Sequence, residues 1–153
     1  MAQKPILQIN GFDEMIKKLE STSKAAERIG KQTAQDCGEI LKAEIVNQAK
    51  SAGLPDKLVN QLQEDFEAER SSGKFRYLVG WRKVERNSGA PLTDSEKVIV
   101  ANYGTPERFT RAGASRGEMP KLNFLKKAKS KAKLKIKKRI ESGYAELNKE
   151  LEK

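Results

Sequence analysis

The chain has 153 residues, 34% of them charged and 37% hydrophobic, and its 31 basic residues exceed its 21 acidic ones to give a net charge of +10. One domain fits this length and could bury about 68 to 70% of its unfolded surface without staples, yet so polar a composition implies a small core or one completed by other subunits. One cysteine, Cys37, and no histidine exclude an internal disulfide and a Cys/His zinc site, and no apolar run reaches the ~18 to 20 residues of a membrane span.

Residues Met1 to Asn10 lack the apolar heart of a signal peptide, so a soluble protein of a reducing cytosol is expected. Ile6, Leu7 and Ile9 suit either a short edge strand or a packed arm. Asn10-Gly11 is a turn signal, after which Phe12, Met15, Ile16 and Leu19 recur at helical spacing with Asp13 and Glu14 in the first turn. Ser23 can cap a longer helix running to about Lys50. Along it Ala26, Ile29, Thr33, Cys37, Ile40, Leu41 and Ile45 form a core-facing stripe. Gly30, Ala34 and Gly38 form a second row at i, i+4, i+8. Either that row lets another backbone come close, or it lies on an exposed face.

Ala52-Gly53-Leu54-Pro55-Asp56 ends the helix. From Leu62 the period changes to two: Phe66 and Ala68 alternate with Asp65, Glu67 and Glu69. Ser71-Ser72-Gly73 marks a turn, and Phe75, Tyr77, Val79 and Trp81 alternate with Lys74, Arg76 and Arg82. This predicts a β-hairpin with one apolar face, Trp81 belonging to the core. A polar loop follows over Arg86 to Pro91. Val98-Ile99-Val100-Ala101 is nearly continuous in apolar residues, as a central strand covered on both faces would be.

The segment 105–120 then forms a loop of about sixteen residues, far above the usual 4 to 6, and so long a loop is either functional or disordered. Beyond it Leu125, Ala128, Ala132, Ile136, Ile140, Tyr144, Leu147 and Leu151 step by three or four. A helix over 121–151 would be about 45 Å long, more than a small sheet can cover, so part of it is expected to project, with Gly143 as a weak point or bend.

That helix carries the whole charge excess. Lys121, Lys126, Lys127, Lys129, Lys131, Lys133, Lys135, Lys137, Lys138 and Arg139 fall in 121–140 with no acid among them, and the remaining 21 basic residues match the 21 acidic ones. Like charges at i, i+4 cost roughly 0.2 to 0.5 kcal/mol per pair, and cations near a helix N-terminus oppose its dipole. Helix stability does not explain the run. It is either a solvated face or a surface for an anionic partner, nucleic acid or acidic protein, formed by Lys126, Lys127, Lys129, Lys131, Lys133, Lys135, Lys137, Lys138 and Arg139.

Catalytic patterns are poor. Gly113-Ala114-Ser115-Arg116-Gly117 matches the nucleophile-elbow pattern, but the elbow needs a base, normally His, and a strand before it. Glu64 to Glu69 is rich in carboxylates, yet alternation places Asp65, Glu67 and Glu69 on a solvent face. No phosphate loop exists. Neither an enzyme nor a cofactor is expected.

Three pieces of this chain carry a family resemblance. Tyr103-Gly104-Thr105, then Met119-Pro120, then Phe124-Leu125 opening a Lys-rich helix, resemble the signature of the neck and tail-completion proteins of long-tailed bacteriophages. Val79-Gly80-Trp81 is similar to that family's second strand. The family's segment after the loop usually reads Met-Pro-Ala-basic-Pro-Phe-Leu-Arg-Pro-Ala. Here it is Met119-Pro120-Lys121-Leu122-Asn123-Phe124-Leu125-Lys126-Lys127-Ala128, with Asn123 and Lys127 where Pro is frequent.

The elements and the resemblance together imply one α+β domain over 1–153. A small antiparallel sheet of three to four strands (within 62–104) would pack on a long N-terminal helix (within 11–52), with the basic helix at the C-terminal end. The resemblance implies a structural virion protein of the phage neck or tail, assembled in the host cytoplasm and present as a hexamer or dodecamer ring. Its partners would be neighbouring neck, connector and tail-tube or terminator proteins, with DNA in the lumen and no membrane. Tyr103, Gly104, Thr105, Arg108, Phe109, Arg111, Arg116, Met119, Pro120, Phe124 and Leu125 would border a subunit or partner. The other function open to the sequence is non-specific nucleic-acid binding through the Lys helix, since Lys without interleaved Arg and aromatic residues does not suit base readout.

Overall fold

The computed structural model describes residues 7–8, 24–69, 74–81 and 90–151. The expected short helix around Phe12 to Leu19, the Ser23 cap, the turn at Ser71 to Gly73 and most of the polar loop from Arg86 lie outside these residues.

Two helices of equal length form the body: α1 (Lys24–Ser51) and a final helix (Phe124–Leu151), each of 28 residues. They run antiparallel. Thr33 lies against Gly143, Asp36 pairs with Arg139 and Glu44 with Lys135, so the partner number falls as the residue number rises. Near the far end Leu147 is buried in one cluster with Ala26 and Ile29. The expectation that the last helix projects is therefore wrong. At about 1.5 Å per residue both helices span about 42 Å, and α1 rather than the sheet covers the apolar stripe along its length. Gly143 makes no break either: it is buried inside the helix, where a Cβ would lie 2.5 Å from Thr33 Oγ1. Close approach of α1 is what it permits.

Between these helices come α2 (Asp56–Val59), β2 (Leu62–Glu69), β3 (Lys74–Trp81) and α3 (Asp94–Tyr103), after a two-residue strand β1 (Leu7–Gln8); the final helix is α4. The hairpin is the expected one, with Leu62 opposite Trp81 and Phe66 opposite Tyr77, and β1 pairs along the other edge of β3 in the order β1-β3-β2. Phe75, Tyr77, Val79 and Trp81 are buried on the face toward the helices, while Asp65, Glu67 and Arg76 are exposed on the other. Trp81 is core: its Nε1 donates to the Leu58 carbonyl at 2.6 Å, and its ring meets Phe124 edge-on at 6.1 Å.

The small-residue row on α1 is the seat of the sheet. A Cβ on Gly38 would lie 2.1 Å from Tyr77 Cγ and one on Gly30 3.1 Å from the Phe75 ring, so aromatic rings of β3, rather than another backbone, press on the bare helix. Ala34, between them, is fully buried.

Val98 to Ala101 is not a strand. It lies inside α3, whose start is a capping box: Thr93 Oγ1 accepts from the Glu96 amide at 3.3 Å, and the Glu96 carboxylate accepts from the Thr93 amide at 2.9 Å. Within α3 the buried residues are Ser95, Val98 and Asn102, at helical spacing, while Ile99 faces outward. The β part thus ends at Trp81 among the described residues, not near residue 104.

Candidate assembly site

Where the long loop was expected, the chain forms an arm built on itself. Thr105 bridges Met119 and Phe109 bridges Ser115 in antiparallel fashion. Backbone bonds run from Thr105 N to Met119 O (3.1 Å) and from Arg108 N to Gly117 O (3.2 Å), with Arg116 N to Arg108 O returning at 2.6 Å. Gly113, with φ of 82°, turns the tip, where no residue with a Cβ fits easily, and Thr110 Oγ1 accepts from the Ala114 amide. Ser115, the would-be nucleophile, donates its hydroxyl to Glu107 at 2.8 Å and accepts from the Gly117 amide. Its role is to hold the arm's return strand.

Both ends of the arm converge on one side chain that sequence reasoning passed over. Asn102 is buried at the C-terminal turn of α3. Its carbonyl accepts from Asn123 N, and its side-chain oxygen accepts from Leu125 N at 3.0 Å, satisfying an orphan amide at the start of α4. Gly104, at φ of 71°, leaves the helix where a Cβ would meet the Met119 carbonyl at 2.5 Å, and Asn123 re-enters at φ of 52°, a left-handed position that Asn tolerates and Pro does not. A signal existed: Asn is among the few residues that can cap by side chain or sit left-handed.

The expected site residues separate into three groups. Phe124 and Leu125 are buried in the core, so they support the arm rather than offer a surface. Tyr103, expected to border a subunit or partner, is the last residue of α3 and 55% exposed. Thr105 and Gly104 lie half-buried at the base; Arg108, Phe109, Arg111, Arg116, Met119 and Pro120 are exposed along the arm.

The cations divide as well. Lys135 pairs with Glu44 at 2.5 Å, a carboxylate whose side chain is only 10% exposed, and Arg139 bridges Asp36 (2.6 Å) and Glu146 (3.0 Å). These two hold α1 and α4 together. Neutralising Lys135 would strand a buried charge, so the run is not wholly dispensable to the fold. Lys137 lies 3.8 Å from Glu141. Lys126, Lys127, Lys129, Lys131, Lys133 and Lys138 are exposed, and no ion pair to them exists among the described residues.

Three other titrating groups are built into the body. Burial pushes the Cys37 thiol up to about 11, keeping it protonated at the α1–α4 contact. Tyr77 donates to Glu64, which also meets Lys42 Nζ at 3.0 Å; these two donors hold the Glu64 carboxyl below its ordinary 4.5, while burial and then Glu64 raise the phenol above 10. A lowered carboxyl contributes stability that is present above its unfolded value and lost as pH falls through its folded one. A raised phenol contributes stability that is present below 10 and lost as pH climbs through its folded value. Thermal melts across pH should therefore fall off below about 4.5 and again above 10. In Glu64→Gln the acid limb should flatten; an unchanged acid limb would remove Glu64 from the account.

Among the described residues no cluster of acidic or Cys side chains could hold a metal, and no helix is long and apolar enough to cross a membrane. Fold and surface together define an α+β protein whose exposed features include an arm and a cationic helix face. A family model described as "Bacteriophage HK97-gp10, putative tail-component" matches residues 13–103, more than half of the chain, and the chain belongs to this family of phage tail components. The match ends at Tyr103, so Met119 to Ala128, which carried much of the resemblance, lies beyond it. No curated protein and no solved structure matches the chain. Membership makes it a structural tail protein with a place in the virion.

Proposed function

We propose that this tail component completes the tail at the head-to-tail interface, as one copy in a ring, hexameric or dodecameric, that docks on the neighbouring neck, connector, tail-tube or terminator proteins through its arm. The observation that carries this is the form of the arm. From Pro106 to Lys121 nearly every side chain faces solvent, including Phe109 at 61% and Met119 at 40%, while the base is locked to the core by Asn102 and Gly104. An element that buries so little of its own surface yet is held so firmly at its root gains its burial from a neighbour.

Replacing Pro106 to Glu118 by an Asn-Gly link, which suits a short antiparallel connection, should leave the melting of the free subunit close to that of the parent. Lysates carrying this change should contain heads and tails that fail to join, seen by negative-stain microscopy, with infectivity reduced by orders of magnitude. Normal joined particles would remove the arm from the function.

The second function open to the chain, non-specific DNA binding, is favoured by the uncompensated lysines on α4. With no exposed ring among them to stack on bases, it would be a phosphate contact.

A further inference from the structure

We infer that the outer face of α4 is a subunit interface, whose occupant is the acidic outer strand of the sheet in a second copy of this chain. This rests on the proposal that the protein assembles with itself, and it names the surfaces. The basic face has a defined shape. Lys127, Lys131, Leu134 and Lys138 follow at i, i+4, i+7, i+11 and form one stripe, with Leu134, 62% exposed, at its centre. The lysines of the stripe have no ion pair among the described residues, and their mutual repulsion works against the helix they stand on.

The matching surface lies on the sheet. Strand β2, Leu62–Glu69, contains four acids and no base, and in the order β1-β3-β2 it is the outer strand. Asp65 and Glu67 are exposed on the face turned away from the helices and have no ion pair among the described residues, although Arg76 lies opposite Glu67. Asp65 is paired in register with half-buried Leu78. Each surface thus sets a leucine among exposed charges that form no ion pair among the described residues, cationic on α4 and mainly acidic on the sheet, where Arg76 stands beside Glu67.

Their placement decides the kind of contact. Helix α1 touches the sheet through Gly30 and Gly38 and α4 through Thr33, Asp36 and Glu44, and Phe124 of α4 meets Trp81 of the sheet directly. The two surfaces stand on different elements, so joining the basic face of one copy to the acidic strand of the next repeats head to tail. Such a heterologous contact closes into a ring when its rotation permits.

The test uses the full chain and two double variants, Asp65→Lys with Glu67→Lys, and Lys131→Glu with Lys138→Glu, followed by sedimentation velocity at low and high salt. The parent should associate at low salt and dissociate as salt rises. Each variant alone should associate about tenfold more weakly or worse, because like charges then meet. An equimolar mixture of the two should recover association, since every contact in an alternating assembly is again opposite in sign. If a reversal impairs folding by circular dichroism, Asp65→Asn with Glu67→Gln and Lys131→Gln with Lys138→Gln should still weaken association.

Reversal variants that assemble like the parent, or a mixture that does not recover, would overturn the pairing while leaving ring formation standing. If the Lys variant keeps self-association but loses binding to a plain DNA duplex along a steep salt slope, the face belongs to nucleic acid instead. A parent chain that stays monomeric under every condition would remove both this pairing and the ring.

Discussion

Phe124→Ala should lower the stability of the subunit by about 3 to 5 kcal/mol, the usual cost of removing a buried aromatic. Phe124 is fully buried, opens α4, and meets Trp81 edge-on with an interplanar angle of 86°. Trp81 in turn reaches α2 through its bond to Leu58, and Leu125 beside Phe124 receives the cap from Asn102. One ring therefore joins the sheet, the second helix and the return of the arm. The loss should exceed the transfer of the ring alone, since the surrounding side chains come from separate elements and cannot all collapse into the space. Urea unfolding measures it, with Leu134→Ala as the exposed control, expected within about 0.5 kcal/mol of the parent. A Phe124→Ala protein as stable as that control would place the ring outside the core.

Gly38→Leu should cost about 3 kcal/mol, at the upper end of overpacking penalties. The Cβ alone would stand 2.1 Å from Tyr77 Cγ, closer than any real contact, and a ring lying across the helix cannot swing aside without giving up its bond to Glu64. The gain of roughly 1 kcal/mol in helix propensity on replacing glycine is too small to offset this. Gly38→Ala should show the same sign with a smaller loss, and near-ultraviolet circular dichroism should report the displaced Tyr77. If Gly38→Leu unfolds at the parent's denaturant concentration, the sheet does not rest on that part of α1.

The long helices and the hairpin were legible because their apolar residues repeat without interruption: Ala26 to Ile45 at three and four, Phe75 to Trp81 at two. Val98 to Ala101 was not, for a definite reason. Four apolar residues in a row fit a buried strand and a helix equally, and the deciding signal lay upstream, in Thr93 and Glu96, which close a capping box. The site was legible at its ends and opaque at its hinge. Gly104, Phe124 and Leu125 stood out, but Asn102 acts through a bond to Leu125, and only the folded chain brings those residues together.

By itself the sequence determined the helix and hairpin periods, the concentration of the entire net charge in one segment, and a composition with no histidine and one cysteine. Tertiary structure decided which of those equal-looking cations are structural. Lys135 and Arg139 meet Glu44 and Asp36 because two helices of 28 residues pack antiparallel in one particular register, while Lys127, Lys131 and Lys138 point outward. Periodicity is a property of neighbours along the chain and is written there. Pairing between segments a hundred residues apart depends on how two surfaces interlock, and here that turns on Gly143 admitting Thr33 and on Gly38 admitting Tyr77.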